Sequence, residues 1–416
     1  MTSVESLQTN QAAPLVEHFF RHEYGRLVSV LTSSYGFRHF DLVEDTVQAA
    51  LVEALRHWRI AGAPANPFAW VRRVAQNRII DALRRNQPES ISQDAESGVG
   101  TPEIWFSDSG IADSELRMVF ACCNPSLAIE AQLALTLKSL CGFSNAEIAR
   151  GLLTSEENVK KRLTRAKSEL IDRGSTLEIP SAKQLADRLD SVHRVMYLMF
   201  NEGYSSASDD QPVRADLCDE AMRLCRLLTD AACSTPATEA LAALMMFHTA
   251  RLPGRMDPNG SLVLLQDQDR QKWDWRLITE ASRILSEAAR GDHISRYHLE
   301  AGIAMLHSHA PSFAATNWAA ILRHYDLLIQ LEPSPVYELN RAVALAELHG
   351  PDAGIAALAN IEEIRHYHLL DATYGEFHRR AGQLKEAMKY FNSAREKTKS
   401  PFEKELLDRK LALCTS

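Results

Sequence analysis

The chain has 416 residues, of which 45% are hydrophobic and 24% charged, with a formal net charge of -8. Such a length exceeds one hydrophobic core and predicts two or three domains of ordinary globular composition. The negative balance excludes a protein that coats nucleic acid indiscriminately, so any contact with a polyanion must come from local basic surfaces.

Residues 1–174 carry 19 Lys and Arg against 21 Asp and Glu, and residues 175–416 carry 27 against 33. Local basic surfaces are therefore sought in the first part. No apolar run approaches the roughly 18 residues that span a bilayer. The opening "MTSVESLQTNQAAP" has neither the basic nor the apolar stretch of a signal peptide. Together these features predict a cytoplasmic protein with no membrane partner. Among the seven cysteines Cys122 and Cys123 are adjacent and the others scattered. That spacing predicts buried reduced thiols, with no disulfide, metal site or other cofactor.

After a disordered tail over 1–13, apolar residues recur at three and four from Leu15 to Arg85, which predicts helices interrupted by the loop "IAGAPANP". In Asp41–Trp58, Val47, Leu51, Ala54, Leu55 and Trp58 make a buried side. Asp45, Gln48 and Val52 point outward, a mixture that suits a protein partner as well as an ordinary exposed face. Ala69–Arg85 holds five Arg against one Asp, and Arg73, Asn77, Ile80 and Arg84 share a face. Arg73, Asn77 and Arg84 can contact bases or phosphates, and Trp70 at the helix start offers a ring for stacking on an exposed base. The same Trp70 can equally serve as a core residue.

The stretch Pro88–Leu116 carries seven acidic residues and no Lys or Arg, and predicts an acidic linker over 88–112. A second helical module follows over 113–174. Within it "GFSNAEIARGLLTSEENVKKRLTRAKSEL" predicts two helices around a tight turn, the first about Ser144–Leu152 and the second capped by Ser155. Val159, Leu163, Ala166 and Leu170 form a buried stripe, leaving Glu157, Lys160, Lys161, Thr164, Arg165 and Ser168 toward the outer side. A helix-turn-helix uses this geometry to place the second helix in the major groove. An αα-hairpin with a solvated basic face has the same pattern, and the spacing does not separate the two.

"GSTLEIPSA" marks the end of that module, and beyond Ser181 the pattern is again helical. "NRAVALAELHGPDAGIAAL" and "GEFHRRAGQLKEAMKYFNSA" both set small residues around a glycine turn, with Gly350 and Gly382 at a separation close to the tetratricopeptide period of about 34. Tetratricopeptide-like repeats are therefore expected from about 313. Asn201, Glu202, Tyr204, Asp267, Asp269 and Arg270 cluster polar groups among apolar helices. They mark either an interdomain contact or ligand pocket, or helix caps and buried ion pairs. No nucleophile–base pairing, H-E-x-x-H or phosphate loop is visible, so no catalytic residue is expected and the chain is not read as an enzyme.

"VEDTVQAALVEALRHW", "NPFAWVRRVAQNRIIDALRR" and the helix-turn-helix stretch, in that order with an acidic linker between, closely resemble regions 2 and 4 of bacterial sigma factors of the extracytoplasmic-function group. The resemblance implies an all-α fold with region 2 over 14–87, region 4 over 113–174 and a helical C-terminal extension over 175–416. It implies core RNA polymerase and promoter DNA as partners. Asp45, Gln48 and Val52 would then dock on polymerase, Trp70, Arg73, Asn77 and Arg84 would hold the melted minus-10 element, and Glu157, Lys160, Lys161, Thr164, Arg165 and Ser168 would face the minus-35 element. "MFNEGYSS", "LVLLQDQDRQKWDW" and "PSPVYELNRAVAL" resemble the long extension of one subgroup, where a protein or small-molecule signal is expected. That subgroup often has His after the cysteine pair, whereas this chain has Asn124. A stand-alone, ligand-responsive helix-turn-helix regulator is the alternative.

Overall fold

The computed structural model describes residues 23–86, 108–152, 154–173, 181–205, 213–258, 260–361 and 364–415. The expected N-terminal tail and most of the expected acidic linker lie outside these residues. Among the described residues the fold is all-α, and the one strand-like pairing is the isolated antiparallel bridge between Met256 and Leu262. The chain divides into two compact units, one ending at Leu198 and the other beginning at Met199.

The first unit contains α1 (23–35), α2 (Phe40–Ala61), α3 (Pro67–Asn86), α4 (Asp108–Cys122), α5 (Ile129–Ser139), α6 (Asn145–Gly151), α7 (Glu156–Asp172) and most of α8 (Ala182–Tyr204). In α2 the buried face comprises Val43, Val47, Ala50, Leu51, Ala54 and Trp58, while Leu55 is half-buried. The "IAGAPANP" loop separates α2 from α3, which buries Val71, Ala75 and Ile79 at intervals of four. Arg78 on α3 pairs with Glu53 on α2 at 2.7 Å. Helix α1 crosses the end of α5 so closely that a Cβ on Gly25 would lie 1.9 Å from the Leu140 carbonyl oxygen. Only glycine fits there.

Two boundaries differ from the sequence expectation. Helix α4 begins at Asp108, inside the stretch expected to be linker. The first unit also continues beyond Gly174: Leu189, Val192, Val195 and Met196 of α8 are buried, and the Arg188 guanidinium donates to the Phe120 carbonyl. The apolar stripe of α8 supplies the cause, since a helix of this kind must bury that face.

The second unit holds the end of α8, then α9 (Ala215–Thr229), α10 (Pro236–Ala250), α11 (Trp275–Ala288), α12 (Arg296–His309), α13 (Trp318–Leu331), α14 (Pro335–His349), α15 (Pro351–Leu358), α16 (His368–Arg380), α17 (Leu384–Lys397) and α18 (Pro401–Thr415). Helix α10 is apolar on almost every side and packs against α9, α11 and α12. From α13 onward each helix packs mainly on the next. The interior there is a series of small cores: Ile303, Ile321 and Leu328, then Leu339, Leu358 and Phe377, then Phe391, Ala394 and Leu407. Serial cores of this kind belong to repeat architectures, in which each unit buries its apolar face on its neighbour. Gly350 and Gly382 occupy the turns before α15 and α17 with φ of 92° and 77°, a backbone that favours glycine.

Candidate nucleic-acid interface

Helices α6 and α7 are set by their caps. The Ser144 hydroxyl accepts from Glu147 N at 3.2 Å, and the Glu147 carboxylate accepts from Ser144 N at 2.8 Å, closing a capping box. The Ser155 hydroxyl accepts from Asn158 N at 3.2 Å and starts α7. Val159, Leu163, Ala166 and Leu170 are buried, so the stripe expected from the spacing is the face that α7 turns inward. Glu157, Lys160, Lys161, Thr164, Arg165 and Ser168 are all exposed. Lys160, Lys161, Thr164, Arg165 and Ser168 share one open face at this helix together with Glu169, Asp172 and Arg173.

Lys160 and Lys161 pair along the helix with Glu156 and Glu157 at 3.4 and 2.7 Å. These pairs are largely exposed, and such pairs contribute about 0–1 kcal/mol, so a phosphate can replace the carboxylate at little cost. Arg165 offers a planar fork that matches a guanine edge or a phosphate.

Lys167 was not singled out by the sequence and has a different role. Its ammonium lies 2.6 Å from Asp41 and 2.6 Å from Glu44, both on α2, and 4.8 Å from the Phe40 ring centre. Glu44 is 5% exposed. Burial pulls the Lys167 ammonium down, but Glu44 and Asp41 outweigh it and hold the group above its ordinary value. The signal available in the sequence was an unexplained acidic pair at i, i+3 in α2. Its partner lies 123 residues away in the chain, beyond the reach of local periodicity.

On α3, Arg73, Asn77 and Arg84 are exposed. Trp70 is half-buried, with its ring edge-on to Trp58 at 5.7 Å and tilted toward His57 at 5.6 Å. It packs and still presents surface. On α2, Asp45 and Val52 are exposed and Gln48 is half-buried, within hydrogen-bonding reach of the buried Tyr24 hydroxyl.

Cys122 and Cys123 are buried, and burial pushes both thiols up, Cys123 to about 12. Cys123 Sγ lies 3.6 Å from Thr136 Oγ1. Thiols held in this state are neutral core groups. Among the polar residues of the C-terminal part, Asp269 accepts from Gln271 N as a local cap, and Asn201 and Asp267 are exposed. Tyr204 and Arg270 are half-buried in a basic cluster of the second unit. Among the described residues no helix is long and apolar enough to cross a membrane.

Residues 19–89 match sigma-70 region 2, residues 118–170 match sigma-70 region 4, and residues 188–289 match a family of unknown function, DUF6596. An uncharacterized protein of Rhizobium meliloti (strain 1021) is 37% identical over 365 residues, 86% of each chain. No solved structure matches. Regions 2 and 4 are the parts of sigma-70 proteins that support promoter recognition with core RNA polymerase and promoter DNA as partners, and they are those of a non-enzymatic transcription factor. An exposed, capped helix-turn-helix, a basic α3 and both regions in order, followed by a long helical segment, lead to one family: the chain belongs to the sigma-70 RNA polymerase sigma factors, as an extracytoplasmic-function-like member with a C-terminal extension.

Proposed function

We propose that this chain binds core RNA polymerase, directs it to a minus-10 and minus-35 promoter, and opens the DNA there. The observation that carries this reading is the presence of regions 2 and 4, in order, in one chain. In this account Asp45, Gln48 and Val52 of α2 meet polymerase. Trp70, Arg73, Asn77 and Arg84 of α3 hold unpaired bases of the minus-10 element. Capture of an extruded base offsets an unpairing cost of a few kcal/mol. Glu157, Lys160, Lys161, Thr164, Arg165 and Ser168 of α7 face the minus-35 element. The overall negative charge supports polymerase binding before DNA binding, because a strong free DNA binder would be held on non-specific sites.

The C-terminal extension supports or regulates this activity from within the chain, and a required contact with polymerase is favoured over inhibition. Removing it is best done after Ser205, because α8 supplies buried side chains to the first unit and a cut after Gly174 would strip them. A folded fragment 1–205 that is inactive supports a required contact. A more active fragment supports inhibition, and wild-type activity on every promoter would remove both.

Co-elution with core polymerase separates this function from that of a stand-alone regulator. The expected result is a stable complex with core polymerase and no specific duplex binding by the free chain at physiological salt. Specific binding of a duplex by the free chain, with no association with polymerase, would overturn the proposal.

A further inference from the structure

The second unit gathers a partly buried group of basic side chains that promoter reading does not use. Arg251 follows α10 directly and is 5% exposed. Its Nη2 donates to His248 Nδ1 at 2.6 Å, which requires a neutral His248. The Arg255 guanidinium lies 4.0 Å from the Tyr204 ring centre, and Tyr204 lies 4.8 Å from the His248 ring. Arg270 donates to the His307 carbonyl at 2.7 Å and stacks 4.5 Å from the Trp273 ring centre.

Among the described residues no carboxylate lies within ion-pair distance of Arg251, Arg255 or Arg270. Arg251 Nε, Arg255 Nε, Arg270 Nη2 and His307 Nδ1 are buried and have no hydrogen-bond partner among those residues. The groups feel one another: burial and then the charges of Arg251 and Arg270 push His307 down to about 3. Burial and then Arg251, Arg255 and His307 hold His248 well below its ordinary value. Buried cations are normally paired, because desolvation without a counter-charge is costly.

Arg255 also forms part of the wall of a cavity of about 420 Å³, within the size range of small-molecule sites. Its apolar lining includes Leu262, Leu264, Phe313 and Phe377. The carboxylates of the wall already have partners: Glu347 pairs with Arg380, Glu376 with Lys410 at 2.5 Å, and Glu403 lies 2.9 Å from the His368 ring nitrogen. Arg255 is the guanidinium of this wall left without a carboxylate among the described residues.

We propose that the cavity binds a small organic anion, with its acid group on Arg255, Arg251 and Arg270 behind it, and its apolar body against Leu262, Leu264, Phe313 and Phe377. A carboxylate or phosphate there would accept a charge-assisted hydrogen bond from the Arg255 guanidinium, which lines the cavity, and would offset the repulsion between Arg255 and the neighbouring cations. The apolar wall would supply the remaining affinity and exclude a bare inorganic ion from the full binding energy. This inference concerns the second unit alone and does not depend on the promoter reading.

The test is calorimetric titration of the full chain with octanoate, octanamide and inorganic phosphate, backed by thermal unfolding. Octanoate is expected to bind and raise the unfolding temperature, and phosphate to compete with it. Octanamide is expected to bind at least roughly tenfold more weakly, the scale of a charged hydrogen bond. Arg255→Gln should erase the preference for octanoate. The comparison of octanoate with octanamide needs no variant, so it stands even if Arg255→Gln misfolds. Equal binding of octanoate and octanamide, no binding of octanoate or phosphate at about 10 mM, or an unchanged preference in folded Arg255→Gln would overturn the proposal.

Discussion

The two compact units bury cationic side chains in opposite ways. In the first, Lys167 of α7 sits between Asp41 and Glu44 of α2, and each carboxylate is 2.6 Å from its ammonium. In the second, Arg251, Arg255 and Arg270 gather around His248, His307 and Tyr204 with no carboxylate in ion-pair reach among the described residues. The first arrangement is electrically closed, and it fixes the helix-turn-helix against region 2. The second is electrically open, and its excess charge is available to a ligand. Buried charge thus serves as a fastening in one place and as a binding determinant in the other, and what separates them is the presence of a partner.

The largest expected effect comes from opening the closed cluster. Lys167→Met leaves the Glu44 carboxylate buried without its cation, and should lower stability by about 3–5 kcal/mol in urea unfolding of the full chain. Adding Glu44→Leu should restore most of the loss, because the pair is then replaced by apolar contact. A single variant with wild-type stability would dissolve the contrast between the units.

Next in size are effects at the DNA surface, where charge is exposed and should act on recognition without altering the fold. Arg165→Ala should cost roughly 1–3 kcal/mol of discrimination at one upstream position, read from binding of promoter variants by the polymerase complex. Arg73→Ala and Asn77→Ala should depress strand opening, read as permanganate reactivity of unpaired thymines. Equal loss of both steps from either set would contradict the division of roles.

Extremes of pH sharpen the comparison by weakening the units at opposite ends. His248 and His307 are held neutral in the folded chain, while in the unfolded chain they take up protons below about pH 6.5. Their contribution is fully present above that pH and is lost as pH falls, with a slope of up to about 1.4 kcal/mol per pH unit for each histidine. Urea unfolding between neutral and mildly acidic pH measures it, and His307→Gln should flatten the slope. Burial raises the Glu403 carboxyl, but hydrogen bonds from His368 and Thr398 hold it below its ordinary value, so its contribution fades in a lower window. Lys167 behaves in the reverse sense: its folded value is raised, so its contribution is present below its ordinary 10.5 and is lost as pH rises above it.

The smallest effect is at Glu157. Its pair with Lys161 is exposed, and Glu157→Gln should change stability by no more than about 0.5 kcal/mol.

Much of the first unit was legible from local spacing. The buried stripe of α7, the caps at Ser144 and Ser155 and the loop between α2 and α3 all follow from residues within a few turns of one another. The glycine turns at Gly350 and Gly382 were equally readable, because a repeat brings its own punctuation. The Lys167 cluster and the basic cluster of the second unit were not. The first joins residues 123 apart, and the second draws Tyr204, Arg251, Arg270 and His307 from four separate segments. Periodicity shows which face of a helix is buried but does not show what it meets. For the same reason the end of the first unit fell later than expected, since the apolar face of α8 announces burial and leaves the surface it covers unspecified.

The measurement that bears most directly on the account is transcription from a genomic template set by purified core RNA polymerase supplemented with this chain, with transcript 5′ ends mapped. Specific starts are expected that require the chain, share upstream and downstream elements at a fixed spacing, and weaken with Arg73→Ala and Arg165→Ala. Folded protein that yields no start above core polymerase alone would contradict it.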